Sequence, residues 1–493
     1  MSIPERKIEM AELGVLFATS EIAPLIKTGG LADVSGALPA ALREIGVDVR
    51  VLVPGYSQVI EQLAEPQVVA NLDDLPGFPM ARLLSVTMAN DVPLLVLDCP
   101  VLYQREGGPY QSPEGQDWSD NAMRFGLLSK VAAVLGSGAT PLDWHPDLVH
   151  CNDWQTGLAP AYLHFAPDGA PSLIAIHNLA FQGNFPPEAV QLLHLPPSSF
   201  GIEGLEFYGK MSFLKSGLFY ADHITTVSPN YAAEIQHEAL GFGMQGLLSK
   251  RRDSLTGILN GIDTEEWNPA SDPYLAKPYS SANITGKAAN KKALQHKLAL
   301  DIEPDVPLLG VISRFTEQKG LDALLEIVPL LCELPVQLAM LGSGDPDMQN
   351  AARELAHRFP GRIGLHIGFS EELSHQIEAG ADMFVMPSRF EPCGLNQLYS
   401  QRYGTPPIVH ATGGLADSVV DCTAASLADG TASGFVFNGM TAVNLYATIL
   451  RSIDAYHDRH KWDTLCANCM RKDFSWETSA KAYRAVYMKV LGR

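Results

Sequence analysis

The chain is short of positive charge: 35 Lys and Arg stand against 55 Asp and Glu in 493 residues, a formal balance of −20. That deficit argues against an electrostatic hold on nucleic acid or on an anionic membrane surface, and raises no objection to a neutral partner. Long apolar runs are missing too. The first, Val15-Leu16-Phe17-Ala18, follows a charged stretch and is far too short for a secretory or membrane segment, so a cytoplasmic protein is expected. Cysteine is sparse and odd in number, seven from Cys99 to Cys469, which fits a reduced intracellular protein rather than a disulfide framework. Cys466-x-x-Cys469 lacks the second pair that a zinc site needs and is expected to be unliganded. No long low-complexity linker interrupts the chain. The glycine fingerprint of dinucleotide binding is absent after a first strand, because Gly241-x-Gly243-x-x-Gly246 follows a helical pattern instead.

What is present is a rhythm. Short runs rich in valine, isoleucine and leucine recur at residues 14–18, 47–53, 93–97, 148–150, 173–176 and 223–227, with room for a helix between most of them. The rhythm restarts at 307–312, 337–341, 364–367, 383–386, 407–409 and 434–436. Such spacing predicts α/β architecture with parallel strands in two doubly wound domains. The break is expected near residues 257–263, where an apolar run meets Asn260-Gly261 and then a polar, proline-bearing stretch. From Ser475 onward Tyr483, Val486, Tyr487, Val490 and Leu491 share one helical face, which must dock somewhere. One short echo links the halves: Thr28-Gly29-Gly30-Leu31-Ala32-Asp33 recurs as Thr412-Gly413-Gly414-Leu415-Ala416-Asp417. Each copy is expected to open a helix, which ordinary capping chemistry also explains.

Four clusters carry candidate chemistry. Lys27-Thr28-Gly29-Gly30 follows the first strand and offers a cation, a close backbone approach and the N–H groups of a helix start; a plain structural turn explains the glycines equally well. Residues 387–396, Pro-Ser-Arg-Phe-Glu-Pro-Cys-Gly-Leu-Asn, follow the strand at 383–386, where open α/β sheets bind ligands. There Glu391 suits a sugar hydroxyl beside a phosphate held by the backbone of Gly394 and Leu395, or else merely caps the next helix. Arg314 and Lys319, at the end of the first strand of the second half, are placed to neutralise a leaving diphosphate; the blander reading is a solvated loop with an ion pair to Glu317. His150-Cys151-Asn152-Asp153-Trp154 and His177-Asn178 each follow a strand of the first half and open toward one cleft, although lone histidines are more often structural. The acidic pair a metal-dependent sugar transferase would need has one counterpart, Asp345-Pro346-Asp347, which reads as a helix N-terminus.

Taken together and in order, the stretches 27–34, 152–157 and 177–179, Arg314 with Lys319, and 388–395 resemble the bacterial glycogen synthases and plant starch synthases. The match covers nearly the whole chain, leaving the first dozen residues as a leader. The resemblance implies the GT-B fold: two Rossmann-like domains facing a deep cleft, with an acceptor (glucan) domain at 1–258, a nucleotide-sugar domain at 259–470, and a C-terminal helix at 471–493 returning to the first. It implies glucose transfer from ADP-glucose to the non-reducing end of an α-1,4-glucan, with no cofactor and no metal. By position, Lys27, Gly29 and Gly30 would lie on the diphosphate side, and Arg314 and Lys319 would hold the leaving phosphates. Glu391 would bond glucose hydroxyls, and Cys393, Gly394, Leu395 and Asn396 would line the donor. Asp153, His177 and Asn178 would line the sugar pocket with Tyr110 nearby, and Phe369 would lie beside the adenine. Two positions depart from the pattern. Asn396 stands where the family usually has threonine, and Tyr399 stands where sister families carry a second glutamate, which favours this family over those.

Cleaving a bond between sugar and diphosphate builds negative charge on the phosphates while the ring becomes positive, so cations on the phosphates should dominate catalysis. Retention through a carboxylate nucleophile is one route. The resemblance favours the other, same-face attack, with the leaving phosphate taking the acceptor proton and the His177 backbone steadying the ring. A non-catalytic glucan- or nucleotide-binding protein is disfavoured by the joint presence of Lys27, Arg314, Lys319 and Glu391. An epimerase is disfavoured by the lysine–glycine–glycine motif, a phosphorylase by chain length, and a nicotinamide dehydrogenase by the missing fingerprint.

Overall fold

The computed structural model describes residues 13–493; the stretch set apart above as a leader lies outside them. The described chain forms two compact units. Unit 1 comprises residues 13–227, 232–261 and 476–493, and unit 2 comprises Ser228–Tyr231 and Ile262–Ser475.

Unit 1 begins with β1 (Leu13–Ala18), β2 (Val47–Pro54), β3 (Gln67–Leu72), β4 (Ala81–Thr87), β5 (Pro93–Asp98), β6 (Leu148–Asn152) and β7 (Ser172–Ile176). A small antiparallel sheet follows, from β8 (Asn184–Phe185), β9 (Glu206–Phe207) and β10 (Lys210–Ser212). β11 (His223–Thr226) and β12 (Leu255–Gly257) then complete a nine-stranded sheet of order β12-β11-β7-β6-β1-β2-β5-β4-β3. Its central strands are buried along their whole length, which is why they read as unbroken apolar runs rather than alternating ones. The edge pair β3 and β4 runs antiparallel and was not expected; β3 is mostly exposed and shows no apolar run.

The helix Trp476–Val490 belongs to unit 1 and lies against the helix Gly30–Glu44. Of the face anticipated, Tyr483, Val486 and Tyr487 are buried, while Val490 and Leu491 are half-buried and the helix ends at Val490. The Tyr487 hydroxyl lies 2.7 Å from Nδ1 of His150 inside β6. The His150 ring is held between Phe17 (centroids 4.6 Å apart) and Tyr483 (5.4 Å).

Unit 2 carries β13 (Leu308–Ile312), β14 (Gln337–Gly342), β15 (Ile363–Ile367), β16 (Met383–Met386), β17 (Pro407–His410) and β18 (Phe435–Phe437) in one parallel sheet, order β15-β14-β13-β16-β17-β18. The two-residue period of a strand divides its core. Leu309, Val311, Leu338, Met340, Met383, Val385 and Ile408 pack on one face, and Leu308, Ala339, Leu341, Phe384, Met386 and Val409 on the other. Each such Val, Leu, Ile, Phe or Met side chain, fully buried, contributes about 1.5–3 kcal/mol.

Strand order fixes where ligands bind. In unit 1 the chain winds one way from β1 to β2 and the other way from β6 to β7, so the order reverses between β1 and β6. In unit 2 it reverses between β13 and β16. The loops leaving adjacent strands at such a point diverge to opposite faces and leave a crevice at the strands' carboxyl ends.

Candidate active site

The crevice of unit 2 is a cavity of about 210 Å³. Arg314 and Lys319 reach it from the loop after β13, and Ser388, Glu391, Gly394, Leu395 and Asn396 from the loop after β16. Lys319 Nζ forms an ion pair with Glu391 Oε2, to which the Ser388 hydroxyl also donates at 3.0 Å. Lys319 therefore pairs with the carboxylate that follows β16, and not with Glu317. Nor does Glu391 cap the next helix, Asn396–Arg402, whose N-cap is Leu395 without a side-chain bond.

The two loops are locked together. Arg389 N–H donates to Gln318 O at 2.8 Å, and the Arg389 guanidinium forks onto Asp322 at 2.6 and 2.7 Å. Asn396 Nδ2 donates to Ile312 O at 2.8 Å, tying the start of its helix to the end of β13. Gly320 has φ +68°, and a Cβ there would come within 1.9 Å of Pro387 O, so only glycine lets the loops close this tightly. Asp345 caps the helix Pro346–Arg358 by accepting from Asp347 N–H and Met348 N–H at 2.9 and 3.1 Å, as its sequence context suggests. Two assigned donor residues stand apart from this cavity's lining: Cys393 is buried beside it, and Phe369 is 81% exposed. Tyr399 stacks on Trp267 with centroids 3.7 Å apart.

The crevice of unit 1 brings Tyr110 and Asp153, the latter bonded by His177 and Asn178, to a residue that sequence reasoning passed over, Glu21. Its carboxylate follows β1 by three residues and accepts from Thr28 N–H (2.5 Å), Gly29 N–H (3.1 Å) and the Tyr110 hydroxyl. The N–H groups of Thr28 and Gly29 thus already hold a carboxylate. Burial pushes the Glu21 carboxyl up, against the pull of Tyr110 and the two backbone donors. Lys27 stands outside this network, exposed and paired with Asp33 at 2.7 Å.

Asp153 follows β6 with φ +51°, a conformation that non-glycine residues rarely adopt and that marks functional sites. Its carboxylate accepts from His177 N–H at 2.7 Å and from the Asn178 backbone. Burial outweighs those donors and raises its pKa to about 7. The His177 ring lies 3.0 Å from Asn152 Oδ1, and burial lowers its pKa to about 4, so it is neutral at pH 7. The only sequence signal for Glu21 was an acid just past the first strand. Its role depends on the bridge between Ile22 and Ile26, which turns the chain back over it.

Two parallel-sheet α/β units, each with a polar cluster at its reversal of strand order, define a GT-B glycosyltransferase. A family model described as "Starch synthase catalytic domain" matches residues 14–250, and one described as "Glycosyl transferases group 1" matches residues 306–450. The chain is 57% identical over 486 residues to a glycogen synthase of Nitrosospira multiformis, covering 98% of both chains, and 58% identical over 478 residues to that of Nitrosomonas eutropha, covering 96% and 95%. It belongs to the family of bacterial glycogen synthases and plant starch synthases, glycosyltransferases that act in glucan synthesis. Among solved structures, the catalytic domain of starch synthase IV from Arabidopsis thaliana, bound to ADP and acarbose, matches with a TM-score of 0.85 at 30% identity, covering 98% of this chain and all of that one. Sucrose-phosphate synthase from Thermosynechococcus elongatus shares the fold at 17% identity, with a TM-score of 0.59 over 97% and 99% of the two chains. Among the described residues no helix is long and apolar enough to cross a membrane.

Proposed function

We propose that the chain transfers glucose from ADP-glucose to the non-reducing end of an α-1,4-glucan with retention of configuration, releasing ADP. The observation that carries this reading is the Lys319–Glu391 pair in the unit 2 cavity, with Arg314 on the same wall. A cation hydrogen-bonded to a carboxylate suits a donor with a charged diphosphate beside a polyhydroxylated sugar: Arg314 and Lys319 meet the phosphates, and Glu391 takes glucose hydroxyls. Gly394, Leu395 and Asn396 complete the phosphate cradle, and the exposed Phe369 ring serves the adenine. ADP in the Arabidopsis relative supports the choice of nucleotide.

In unit 1 the neutral His177, with Asp153 and Asn178, presents the transferred ring with donors and acceptors rather than a charged base, while Tyr110, Gly29 and Gly30 shape the approach beside Lys27. That favours same-face attack, in which the leaving phosphate takes the acceptor proton and the His177 backbone steadies the positive ring. The reaction needs no metal in this reading, since the phosphate charge is met by Arg314 and Lys319 and the Asp345 carboxylate is spent on a helix cap. Seven cysteines without a disulfide fit a reducing, cytoplasmic setting.

The test is incorporation of labelled glucose into glycogen from ADP-glucose and, separately, UDP-glucose, with and without EDTA, and with Glu391→Ala as control. EDTA-resistant transfer from ADP-glucose that the substitution abolishes is the expected result. Preference for UDP-glucose, loss in EDTA, or a trapped glucosyl–Glu391 ester would each overturn the corresponding part.

A further inference from the structure

Unit 2 holds a second cluster of ionisable side chains, none of which lines the cavity of Lys319 and Glu391. Among the described residues, Glu266, Glu371 and His375 each bring one ligand atom to within 4.8 Å of the others. Glu371 and His375 stand one turn apart on the helix Glu371–Gly380, so they share a face. Glu266 comes from a turn that Asp263 fixes, its carboxylate accepting from the Glu265 and Glu266 N–H groups at 2.9 and 3.0 Å. The histidine is the unusual member. It is 1% exposed, and its Nε2 atom has no hydrogen-bond partner. Glu371 Oε1 stands 3.5 Å from Nε2, outside the roughly 2.7–3.2 Å of an N–H···O bond. Two ligands of one tetrahedral ion, with bonds of about 2.1 Å, lie about 3.4 Å apart.

The far side of the imidazole is built to hold it. Nδ1 lies 2.8 Å from Asp272 Oδ2, which also accepts from the Tyr403 hydroxyl at 2.5 Å. A carboxylate behind the second ring nitrogen is the usual device for orienting a metal-binding histidine and raising its basicity. Trp267 stacks on the ring with centroids 3.9 Å apart and planes 11° from parallel. Because Trp267 follows Glu266 directly, the stack that fixes the imidazole plane also fixes where the Glu266 side chain starts. We propose that Glu266, Glu371 and His375 bind one divalent transition-metal ion, for which Zn²⁺ is the best match, with Asp272 as the positioning residue behind the imidazole. One nitrogen and two carboxylates suit Zn²⁺, whereas Ca²⁺ and Mg²⁺ favour shells made of oxygen alone. Water takes the fourth position, and the exposed Glu266 side chain has room to swing in and close the remaining gap. Without the ion, a proton on Nε2 stands in its place, and binding releases that proton. The ion fastens the turn at 263–267 to the helix Glu371–Gly380 and takes no part in transfer, which stays resistant to EDTA.

The test titrates the full chain, stripped with EDTA and dialysed, with Zn²⁺ against a chromogenic chelator. One equivalent should bind and raise the melting temperature. Glu266→Gln and Glu371→Gln change an exposed and a half-buried carboxylate, so the fold is retained. Each should weaken Zn²⁺ binding by at least about ten-fold, since losing a supporting residue alone costs about 10–100-fold. Asp272→Asn should cost about 10–100-fold and shift the visible bands of bound Co²⁺; a folded variant that moves neither overturns the role given to Asp272. Co²⁺ in place of Zn²⁺ should show the strong visible absorption of a tetrahedral site and no thiolate charge-transfer band. Failure of the unaltered protein to bind Zn²⁺ overturns the proposal, as does unchanged affinity in both glutamate variants. A thiolate band on Co²⁺ would place the ion at the cysteines and likewise overturn it.

Discussion

The six residues Thr-Gly-Gly-Leu-Ala-Asp open a helix in each unit, at 28–33 and at 412–417, yet their glycines meet different surroundings. Around a Cβ placed on Gly29 or Gly30 nothing lies within 4 Å. A Cβ on Gly413 would lie 2.0 Å from Glu391 O, and one on Gly414 2.1 Å from Cys393 O, while Gly414 N–H donates to Glu391 O and Pro392 O at 3.1 Å. The first pair leaves backbone open beside Glu21; the second is wedged under the loop that presents Glu391. One string thus leaves open backbone in unit 1 and forms a buttress in unit 2. The contrast extends to charge. Unit 1 buries Asp153, His150 and His177 with pKa values moved by burial toward the neutral form, whereas unit 2 pairs Lys319 with Glu391 and Arg389 with Asp322 at its site.

The contrast is sharpened most by removing a paired charge. Lys319→Ala should lower kcat by about 10²–10³-fold, the usual cost of losing one donor to a developing anion. Near-wild-type turnover would place the phosphates elsewhere. Next comes the neutral side. Asp153, with a folded pKa of about 7 against roughly 3.9 unfolded, is protonated more readily when folded, so its contribution to stability falls as pH rises from about 4 through 7. Asp153→Asn keeps the oxygen that accepts from His177 and never ionises. Its stability relative to wild type should therefore grow with pH, by about 3 kcal/mol in urea titrations between pH 5 and pH 8. A constant difference would show that Asp153 is already ionised at pH 5.

The glycine pairs themselves give the third test. Gly414→Ala should cost unit 2 about 1–3 kcal/mol by overpacking. Gly29→Ala should change stability by less than about 0.5 kcal/mol yet slow transfer, since in the proposed reaction ligand and not protein occupies the space it fills. Equal stability losses in urea titrations would erase the distinction. The smallest effect concerns the buried ion pair of unit 2. Burial disfavours the charged form of His375, but Asp272 at 2.8 Å and Glu371 outweigh it and raise its pKa to about 9. That stabilisation is complete below pH 6.5 and is lost as pH rises through about 9, so the melting temperature should fall between pH 7 and 9.5 in calorimetry. Asp272→Asn should flatten the decline.

Much of this was legible in the sequence because buried parallel strands must be continuous apolar runs, and every core strand from β13 to β18 announced itself in that way. β3 escaped because its residues are mostly exposed, and β8, β9 and β10 because two or three residues carry no period. Arg314, Lys319 and Glu391 were visible as polar residues following strands, but the pairing of Lys319 with Glu391 depended on which strands are neighbours, a long-range fact. The same holds for Glu21, which gains its three donors only when the chain turns back at Ile22 and Ile26 and when Tyr110 arrives from 89 residues away.

Tyr487 has a consequence for how the molecule is made. A ribosome delivers β6 long before the helix that covers it, and all of residues 262–475 emerge in between. Until residue 487 leaves the exit tunnel, His150 lacks its hydroxyl partner and the Asn152–Asp153 crest two residues on stands on an uncovered strand. The first-made unit is thus the last to be finished, and a premature stop or a carboxypeptidase nick at the far end of the chain is felt at a site encoded in its first third.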